Sequence, residues 1–380
     1  MKKSAFICAF FAALVFCAPL PADDAPAPKD WRANAQTDGA QGLVYLSTYD
    51  NEQALAQNPN DTQLLRTIAR QLERGGHHAL ALERWQRLGR LIPGDPEVAA
   101  ALAGTSTAEA LPEPGPKLAT PPEPGLGLWV SGGGRDQISA VNVYNAKAPQ
   151  GQQVRYVFVH AGSWSLEGSQ SHWSLDLRQA VIAADVLGGD CHVNLWLDGT
   201  TSGATQVDAA TWNRMASELS AVVDADHRLG GVHLYPHEGG KALYPLYAAL
   251  RRKLKVPLSV ATPGSAPDLF QYVDFAVLRP QPCRGDDATY SDRVRDMAAG
   301  FLLAATANNG LAMVGVSGLG TPTAGTWYQN ARMAVTAAQP IGSSALMGLS
   351  VWGLVSDDEG RTSELDPDVW RQMALPLGAP

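Results

Sequence analysis

Apolar and polar positions recur with two different periods along this chain. From about residue 41 to 103, apolar side chains recur every three to four positions, which is the period of an amphipathic helix. Gly75 and Gly76 interrupt this run and predict the turn of a helical hairpin. Residues 104–124 are rich in proline and glycine and predict a semi-extended linker. From residue 125 onward, short apolar strands alternate with helical patterns, which predicts an α/β domain.

Eight strand segments can be read in the domain predicted at 125–380. Helical patterns separate them, most clearly at 208–227, 242–255, 291–309 and 326–339. Eight strand–helix units in about 250 residues are typical of a (β/α)8 TIM barrel, and an open doubly wound sheet is the alternative. We favour the barrel because no Gly-rich phosphate turn follows the first strand. The strand segments are 125–132, 154–162, 191–199, 231–238, 257–264, 274–282, 312–320 and 346–354.

The first 22 residues have the pattern of a secretory signal peptide. Lys2 and Lys3 precede an apolar run from Ala5 to Phe16, and small residues then lead to a cleavage site after Ala22. This pattern predicts a periplasmic or secreted protein. No later stretch approaches the ~20 apolar residues of a transmembrane helix, so we expect no membrane span.

The helical region at 41–103 carries a sequence repeat. The motifs NPND at 58–61 and IPGD at 92–95 lie 34 residues apart, which is the period of the tetratricopeptide repeat. The region resembles that family, and a plain helical hairpin is the alternative. Because so few repeats cannot bury their own faces, we expect them to dock on the main domain or on a protein partner. The residues that fall on the family's pattern are Leu65, Ile68, Ala69, Leu72, Gly76, Ala81, Trp85 and Pro93.

Charge and cysteine content bear on the protein's partners and on its disulfide bonds. The formal net charge of −8 argues against a nucleic-acid partner. Two of the four cysteines, Cys8 and Cys17, would be removed with the signal peptide. The remaining pair, Cys191 and Cys283, falls at opposite ends of two strands of the predicted barrel. That separation exceeds the ~7 Å limit for a disulfide, so we expect the two not to be bonded to each other.

Alternation along the strands predicts which side chains face the barrel interior. In the third strand, Val193, Leu195 and Leu197 suit the helix layer, and the intervening positions therefore turn inward. The interior becomes polar and aromatic, whereas a barrel held by packing alone would use branched aliphatic residues. This indicates a ligand-facing site, with a self-satisfied polar network as the alternative. The same reasoning turns Met347 outward and turns these residues inward: Tyr156, Phe158, His160, His192, Asn194, Trp196, Asp198, His233, Tyr235, His237, Gly348, Ser350 and Trp352.

Carboxyl groups and aromatic rings gather at the predicted strand ends, where barrel enzymes place their chemistry. Such a combination suits a saccharide, and glycoside hydrolysis needs two carboxyl groups. Asp198 and Glu238 end neighbouring strands, so we expect them to be the catalytic pair, with Glu238 as the acid. The residues expected to bind the saccharide are His160, Trp164, Trp196, His233, Tyr235, His237, Arg279 and Trp352.

The fourth strand, followed by LMGLSVWGLVSDDEG at 346–360, resembles the barrels of glycoside hydrolase family 18, the chitinases and their relatives. That family carries D-G-x-D-x-D-x-E on strand four, and the final glutamate is the catalytic acid. A tryptophan on its strand eight forms the floor of the sugar site. Trp352 corresponds to that tryptophan. The resemblance implies a polysaccharide or oligosaccharide ligand.

The fourth strand also departs from the family motif. Glu238 lies one residue beyond the acid's position, after Pro236. These departures put hydrolysis in doubt, so a catalytically degenerate barrel is the alternative: a glycan-binding or scaffold component of an envelope or polysaccharide-export system. Gly230, His233 and Tyr235 stand where aspartates belong, and His237 stands at the acid's position.

No metal or cofactor is expected. His160, His233 and His237 could ligate zinc together with Asp198. However, the i,i+4 spacing of His233 and His237 puts two ligands on one face only in a helix, and this segment is predicted to be a strand. Hydrogen-bonded histidines are the simpler interpretation. The chain also lacks a nucleophile elbow, a Walker loop or a dinucleotide fingerprint in a usable context.

Overall fold

The structure is a computed structural model of the chain. It describes residues 29–104, 111–238, 240–282, 290–317, 332–342, 344–352 and 370–371. The expected signal peptide, Cys283 and the carboxyl ends of the last two predicted strands lie outside these residues.

Eight parallel strands close into a barrel, as the sequence pattern predicts. The first barrel strand pairs with the second on one side and with the last on the other, and all eight barrel pairings are parallel. This closure excludes the open doubly wound sheet. The strands are β1 (Leu126–Val130), β2 (Val154–Ser165), β3 (His172–Leu175), β4 (His192–Gly199), β5 (Leu229–Pro236), β6 (Leu258–Thr262), β7 (Phe275–Pro282), β8 (Ala312–Ser317) and β9 (Leu346–Trp352).

Helices cover the outside of the barrel and form the region before it. Residues 332–338 are also helical. The helices are α1 (Trp31–Ala40), α2 (Val44–Gln57), α3 (Thr62–Arg74), α4 (His78–Leu91), α5 (Pro96–Gly104), α6 (Arg135–Asn145), α7 (Arg178–Leu187), α8 (Ala209–Ala225), α9 (Tyr244–Lys253) and α10 (Tyr290–Ala307).

The barrel departs from eight regular strand–helix units in two places. β3 is a short antiparallel strand that pairs with the end of β2 and stands outside the barrel. Between β6 and β7 the chain forms only a short 3₁₀ helix, Pro267–Gln271, because the connection is too short for a longer helix and two turns. Neither feature was predicted, since both depend on short segments without a clear apolar period.

The helical region contains five helices and starts ten residues earlier than the predicted position 41. α1 has only one buried residue, Ala35, so its apolar pattern is weak, and Asp30 caps its first turn. The 34-residue spacing has a structural counterpart. Asp61 accepts backbone N–H groups at the start of α3, and Asp95 accepts them at the start of α5. The repeated motifs therefore mark repeated helix starts.

The helical region docks on the barrel, as its small size predicts. The Asp296 carboxylate in α10 accepts the backbone N–H groups of Tyr45 and Leu46 at 2.9 and 3.1 Å. The ring of Tyr45 lies so close to Gly300 that a Cβ at that glycine would come within 2.5 Å of it. Ser265, in the loop after β6, donates to the backbone oxygen of Gly75 at 3.3 Å. The turn between α3 and α4 therefore contacts a loop at the carboxyl end of the barrel strands.

The described part of the linker, residues 111–124, lies against the barrel. The buried Asp274 carboxylate organises its middle, because it accepts the Leu118 N–H at 3.0 Å and the Leu258 N–H at 2.8 Å. It also pairs with Arg251 at 3.0 Å, and both side chains are only 2% exposed. Farther along, Tyr156 donates its hydroxyl to the backbone oxygen of Glu123 at 2.6 Å. The linker thus acts as a strap that is tied to the amino-terminal end of the strands.

One side chain of β9 lies on the opposite face from the one predicted. Met347 belongs to the apolar cluster inside the barrel, whereas alternation turns it outward. Gly348 explains the difference, because its φ of 153° is outside the range of a regular strand and the β8–β9 register shifts nearby. The pleat is therefore broken, and alternation resumes with Leu349 and Val351 in the outer core.

Cys191 stands immediately before β4 and carries a free thiol. It is buried, and its Sγ lies 3.2 Å from the backbone oxygen of Val154. Burial raises the pKa of this thiol to about 12, so it remains protonated and unreactive at neutral pH.

The buried ion pair of the strap provides a stability test. Asp274→Asn keeps the shape of the side chain but leaves the Arg251 guanidinium buried without its counter-charge. We expect the variant to lose about 3 kcal/mol of unfolding free energy, measured by urea denaturation of the whole chain. The exposed pair Arg214–Glu218 supplies the control, and Glu218→Gln should lose under about 0.5 kcal/mol. Equal midpoints for the two variants would contradict the strap's role.

Candidate functional site

An aromatic cluster fills the carboxyl half of the barrel interior, with Trp129 at its centre. The Trp129 ring lies 4.8 Å from Phe158, 5.1 Å from Trp196 and 5.2 Å from Trp352, measured between centroids. The rings of Trp129 and Trp352 are nearly parallel, at 23°, and Trp352 is only half-buried. Among the described rings, Trp352 lies at the outer end of a packed stack, and its indole plane is held in place from below.

Several polar atoms inside the barrel have no hydrogen-bond partner among the described residues. All of them are buried, and each belongs to a side chain that is at most 6% exposed. Native proteins satisfy nearly all buried polar atoms, with protein groups or with ordered water. Among the described residues, side chains alone therefore leave these atoms without hydrogen-bond partners. The atoms are Trp129 Nε1, Trp196 Nε1, His233 Nε2, Asn194 Oδ1 and Ser350 Oγ.

His233 lies deep in this cluster rather than at the rim. It is fully buried, and its Nδ1 lies 2.8 Å from the Ser259 hydroxyl. Its ring packs edge-on against Trp129 at 4.7 Å. Burial, with a smaller contribution from Arg279, lowers the pKa of His233 to about 3. The imidazole is therefore neutral at physiological pH and supports the rings above it.

Asp198 lies between two histidines at the carboxyl ends of the strands. Its Oδ1 is 3.1 Å from His160 Nε2, and its Oδ2 is 3.5 Å from His237 Nε2. The three residues come from three neighbouring strands: His160 from β2, Asp198 from β4, and His237 from the end of β5. Their side chains are 39%, 24% and 53% exposed in that order, so a ligand can reach them. The arrangement offers a carboxylate with two flanking imidazoles at an accessible edge.

Glu238 lies at the same end of the barrel but has a different partner. It is exposed, and its Oε2 accepts the Thr201 hydroxyl at 2.6 Å in the loop after β4. The neighbouring residue His237 anchors this turn, because its N–H donates to the Gly199 oxygen at 2.7 Å. Asp198 and Glu238 therefore follow adjacent strands, as predicted, yet share no hydrogen-bond partner in the described structure.

Arg279 and Tyr235 form a second polar group on the rim. The guanidinium carbon lies 4.7 Å from the centroid of the Tyr235 ring, which is a cation–π contact. Arg279 Nη1 donates to the His237 backbone oxygen at 2.9 Å. This bond ties β7 to the turn that carries His237 and Glu238. Burial lowers the pKa of Arg279, but a guanidinium remains charged at neutral pH.

Trp164 occupies a different environment from the other predicted binding residues. It is 6% exposed, belongs to the outer core, and donates its Nε1–H to the Thr200 oxygen at 2.9 Å. It also packs edge-on against Trp173 of β3. The hairpin of β2 and β3 covers it, and that hairpin was not predicted. No face of its ring is open to a saccharide in this structure.

Two contributors to the site were missed by sequence reasoning. Trp129 is the centre of the aromatic cluster, and alternation in GLGLWVSG would have turned it inward. Thr201, by contrast, lies in a loop without a period, so no sequence signal marks its bond to Glu238. Within the described ranges, no group of three or more His, Cys, Asp and Glu side chains is placed to hold a metal ion.

Fold and site together define a (β/α)8 barrel with an aromatic interior and a polar, accessible rim. No family model and no curated protein matches the sequence. One solved structure to which the chain is similar is a mutant O-GlcNAc transferase from Thermobaculum terrenum. It is 12% identical, with 92% of this chain and 82% of that chain covered at a TM-score of 0.19. A likeness at that level carries no argument about function. In the part of the chain that is described, no helix combines the length and apolar character needed to cross a bilayer.

The buried His233 predicts a pH dependence of stability. Its pKa is about 3 in the folded protein and near 6.5 when unfolded, so the unfolded state binds more protons between these values. Stability is therefore fully present above pH ~6.5 and falls as the pH drops toward 3. His233→Phe removes this contribution, and the loss of unfolding free energy between pH 6.5 and 4.5 should be smaller by up to about 1.4 kcal/mol per pH unit.

The measurement is urea denaturation of both proteins at several pH values. His77, whose pKa burial lowers to about 4, titrates in both and cancels in the comparison. Parallel stability curves for wild type and variant would show that His233 is not buried as a neutral group.

Proposed function

We propose that this protein is a secreted or periplasmic, glycoside hydrolase-like barrel whose rim binds a polysaccharide or oligosaccharide. The observation that carries the proposal is the half-exposed Trp352 indole, fixed on Trp129 beside the rim group of Asp198, His160 and His237. A flat apolar ring next to hydrogen-bonding groups matches a sugar, which has an apolar C–H face and a polar edge. The signal-peptide pattern supports the location.

Packing within the aromatic cluster fixes the orientation of the Trp352 ring before a ligand binds. Trp352 is also held edge-on by Trp196 at 5.5 Å, so its ring plane loses little freedom when a sugar stacks on it. Asp198 accepts hydrogen bonds, whereas the two histidines can donate or accept them. Neighbouring sugar hydroxyls can therefore hydrogen-bond to the carboxylate and to the imidazole on either side of it.

Hydrolysis is the second candidate. It is supported by the position of Asp198 and Glu238 on adjacent strands at the carboxyl end of the barrel. Glu238 would be the acid and Asp198 its partner. The Thr201 hydroxyl, which bonds Glu238, would have to release it during a catalytic cycle. The departures from the family-18 motif favour binding over hydrolysis.

A non-catalytic role in an envelope or polysaccharide-export system also has an observation in its favour. A groove of about 310 Å³ runs between α1, α2 and α3, on the helical region that resembles a tetratricopeptide repeat. Polar side chains line most of it, including Arg32, Gln36, Asn51 and Gln63. We propose that a protein partner docks through this region while the barrel holds the glycan.

Removing the outermost ring should weaken saccharide binding. Trp352→Ala should raise the Kd for a chito-oligosaccharide about tenfold, because a stacked aromatic contact is worth up to about 1.5 kcal/mol. Trp31→Ala, on α1 of the helical region, is the matched control and should leave the Kd unchanged. Titration calorimetry with a panel of neutral and acidic oligosaccharides measures both. Equal affinities for wild type and Trp352→Ala would rule out the stacking site.

Substitution of Glu238 and Asp198 distinguishes the proposed hydrolysis from a role in binding alone. If the barrel hydrolyses a glycan, Glu238→Gln and Asp198→Asn should each lower kcat about 10²- to 10⁴-fold while binding persists. Glu218→Gln, on the surface of α8, should leave kcat unchanged. Product release from the same panel is measured by chromatography. Wild-type protein that binds a glycan without releasing any product would exclude hydrolysis of that glycan and favour the binding component.

A further inference from the structure

One side of the Arg279 guanidinium has no hydrogen-bond partner in the part of the chain that the structure describes. Nη1 donates to the His237 oxygen, but Nε and Nη2 are buried and have no hydrogen-bond partner among the described residues. These two nitrogens point their N–H groups in the same direction and form the side of the planar fork that binds two oxygens at once. Tyr235 packs against the face of the guanidinium and fixes its plane. The open side is therefore held in a defined orientation.

The described residues supply no counter-charge to this group. The ionisable neighbours that act on Arg279 are the hydroxyls of Tyr235 and Tyr247, and neither is a carboxylate. Asp198 is engaged by two histidines, and Glu238 by Thr201. A buried charge without a partner is costly, and ionisable groups perturbed in this way cluster at functional sites.

We propose that Arg279 receives the carboxylate of an acidic saccharide, such as a uronic acid residue, at the rim of the barrel. This inference rests on the proposed saccharide-binding function and names the class of its ligand. The planar fork matches the two oxygens of a carboxylate. Trp352 would stack on the same glycan, and His160 and His237 would contact its hydroxyls.

Short-range contacts between Arg279 and the carboxylate must provide the affinity for an acidic saccharide. The chain has a formal net charge of −8, so its overall field does not attract an anionic glycan. The two open donors are shielded from bulk water, which strengthens a charge-assisted hydrogen bond once it forms. The Tyr235 ring and the His237 backbone oxygen, which contact the guanidinium, keep their places while the carboxylate binds at Nε and Nη2.

The test compares an oligogalacturonate with its methyl ester, which removes the negative charge and adds one methyl group to each carboxyl. The wild-type chain should bind the acid at least about tenfold more tightly than the ester, because hydrogen bonds to charged groups are the stronger ones. Arg279→Gln should reduce this preference to within about twofold. Arg279→Lys keeps the charge without the fork, so a correctly folded variant should also lose most of the preference. Arg252→Gln, on the exposed end of α9, is the control and should keep it.

Calorimetry measures the affinities, and circular dichroism checks the fold of each variant. Loss of the acid preference in both Arg279 variants supports the proposal. Equal binding of acid and ester by wild type, or a preference that survives in Arg279→Lys and Arg279→Gln, overturns it and leaves the saccharide-binding function standing. Inorganic phosphate that competes more strongly than the oligogalacturonate, in an Arg279-dependent way, overturns the carboxylate assignment. If no saccharide of either kind binds, the proposed function fails and this inference fails with it.

Discussion

Closure of the eight-stranded barrel around Trp129 is the constraint on which the rest of this structure depends. β1 pairs with β2 on one side and β9 on the other, and its inward side chain, Trp129, lies within the ring cluster inside the barrel. The indole of Trp129 contacts rings from β2, β4, β5 and β9. Close packing of large rings leaves little room for rotation. The outermost ring, Trp352, and the rim around it are therefore held rigidly.

The interior is unusual because apolar rings and unsatisfied polar atoms occur together. A barrel stabilised by packing alone would fill this space with branched aliphatic side chains. Here indole and imidazole nitrogens are buried without protein partners in the described structure, which costs stability. Outer packing offsets this cost, since the helix-facing side chains of the strands are almost all buried and apolar. The outer faces of the strands therefore supply most of the apolar packing, and the inner faces hold the aromatic and polar side chains.

Two carboxylates, the buried Asp274 and the half-buried Asp296, connect the parts of the chain outside the barrel. Asp296 holds the start of α2 against α10, and Asp274 holds the linker against β6 and α9. In both cases the carboxylate accepts backbone N–H groups, which are donors that any sequence supplies. The helical region is consequently part of the folded body.

Local periodicity was enough to predict the barrel, its eight strands and most inward-facing residues, because a strand that faces a core on one side and helices on the other must alternate. The same reasoning brought Asp198, His160 and His237 to one rim, since parallel strands end at the same edge. It failed where the backbone leaves the regular pleat, at Gly348. The short hairpin of β2 and β3, whose second strand packs against Trp164, has no clear apolar period and was not predicted.

Only the tertiary structure decided which polar groups are paired. Thr201 reaches Glu238, and two histidines reach Asp198, while one side of Arg279 stays open among the described residues. These outcomes depend on distances between loops and strands that are far apart in the chain. Sequence alternation determines the direction of a side chain, but the partner it meets is determined by how the strands close around it.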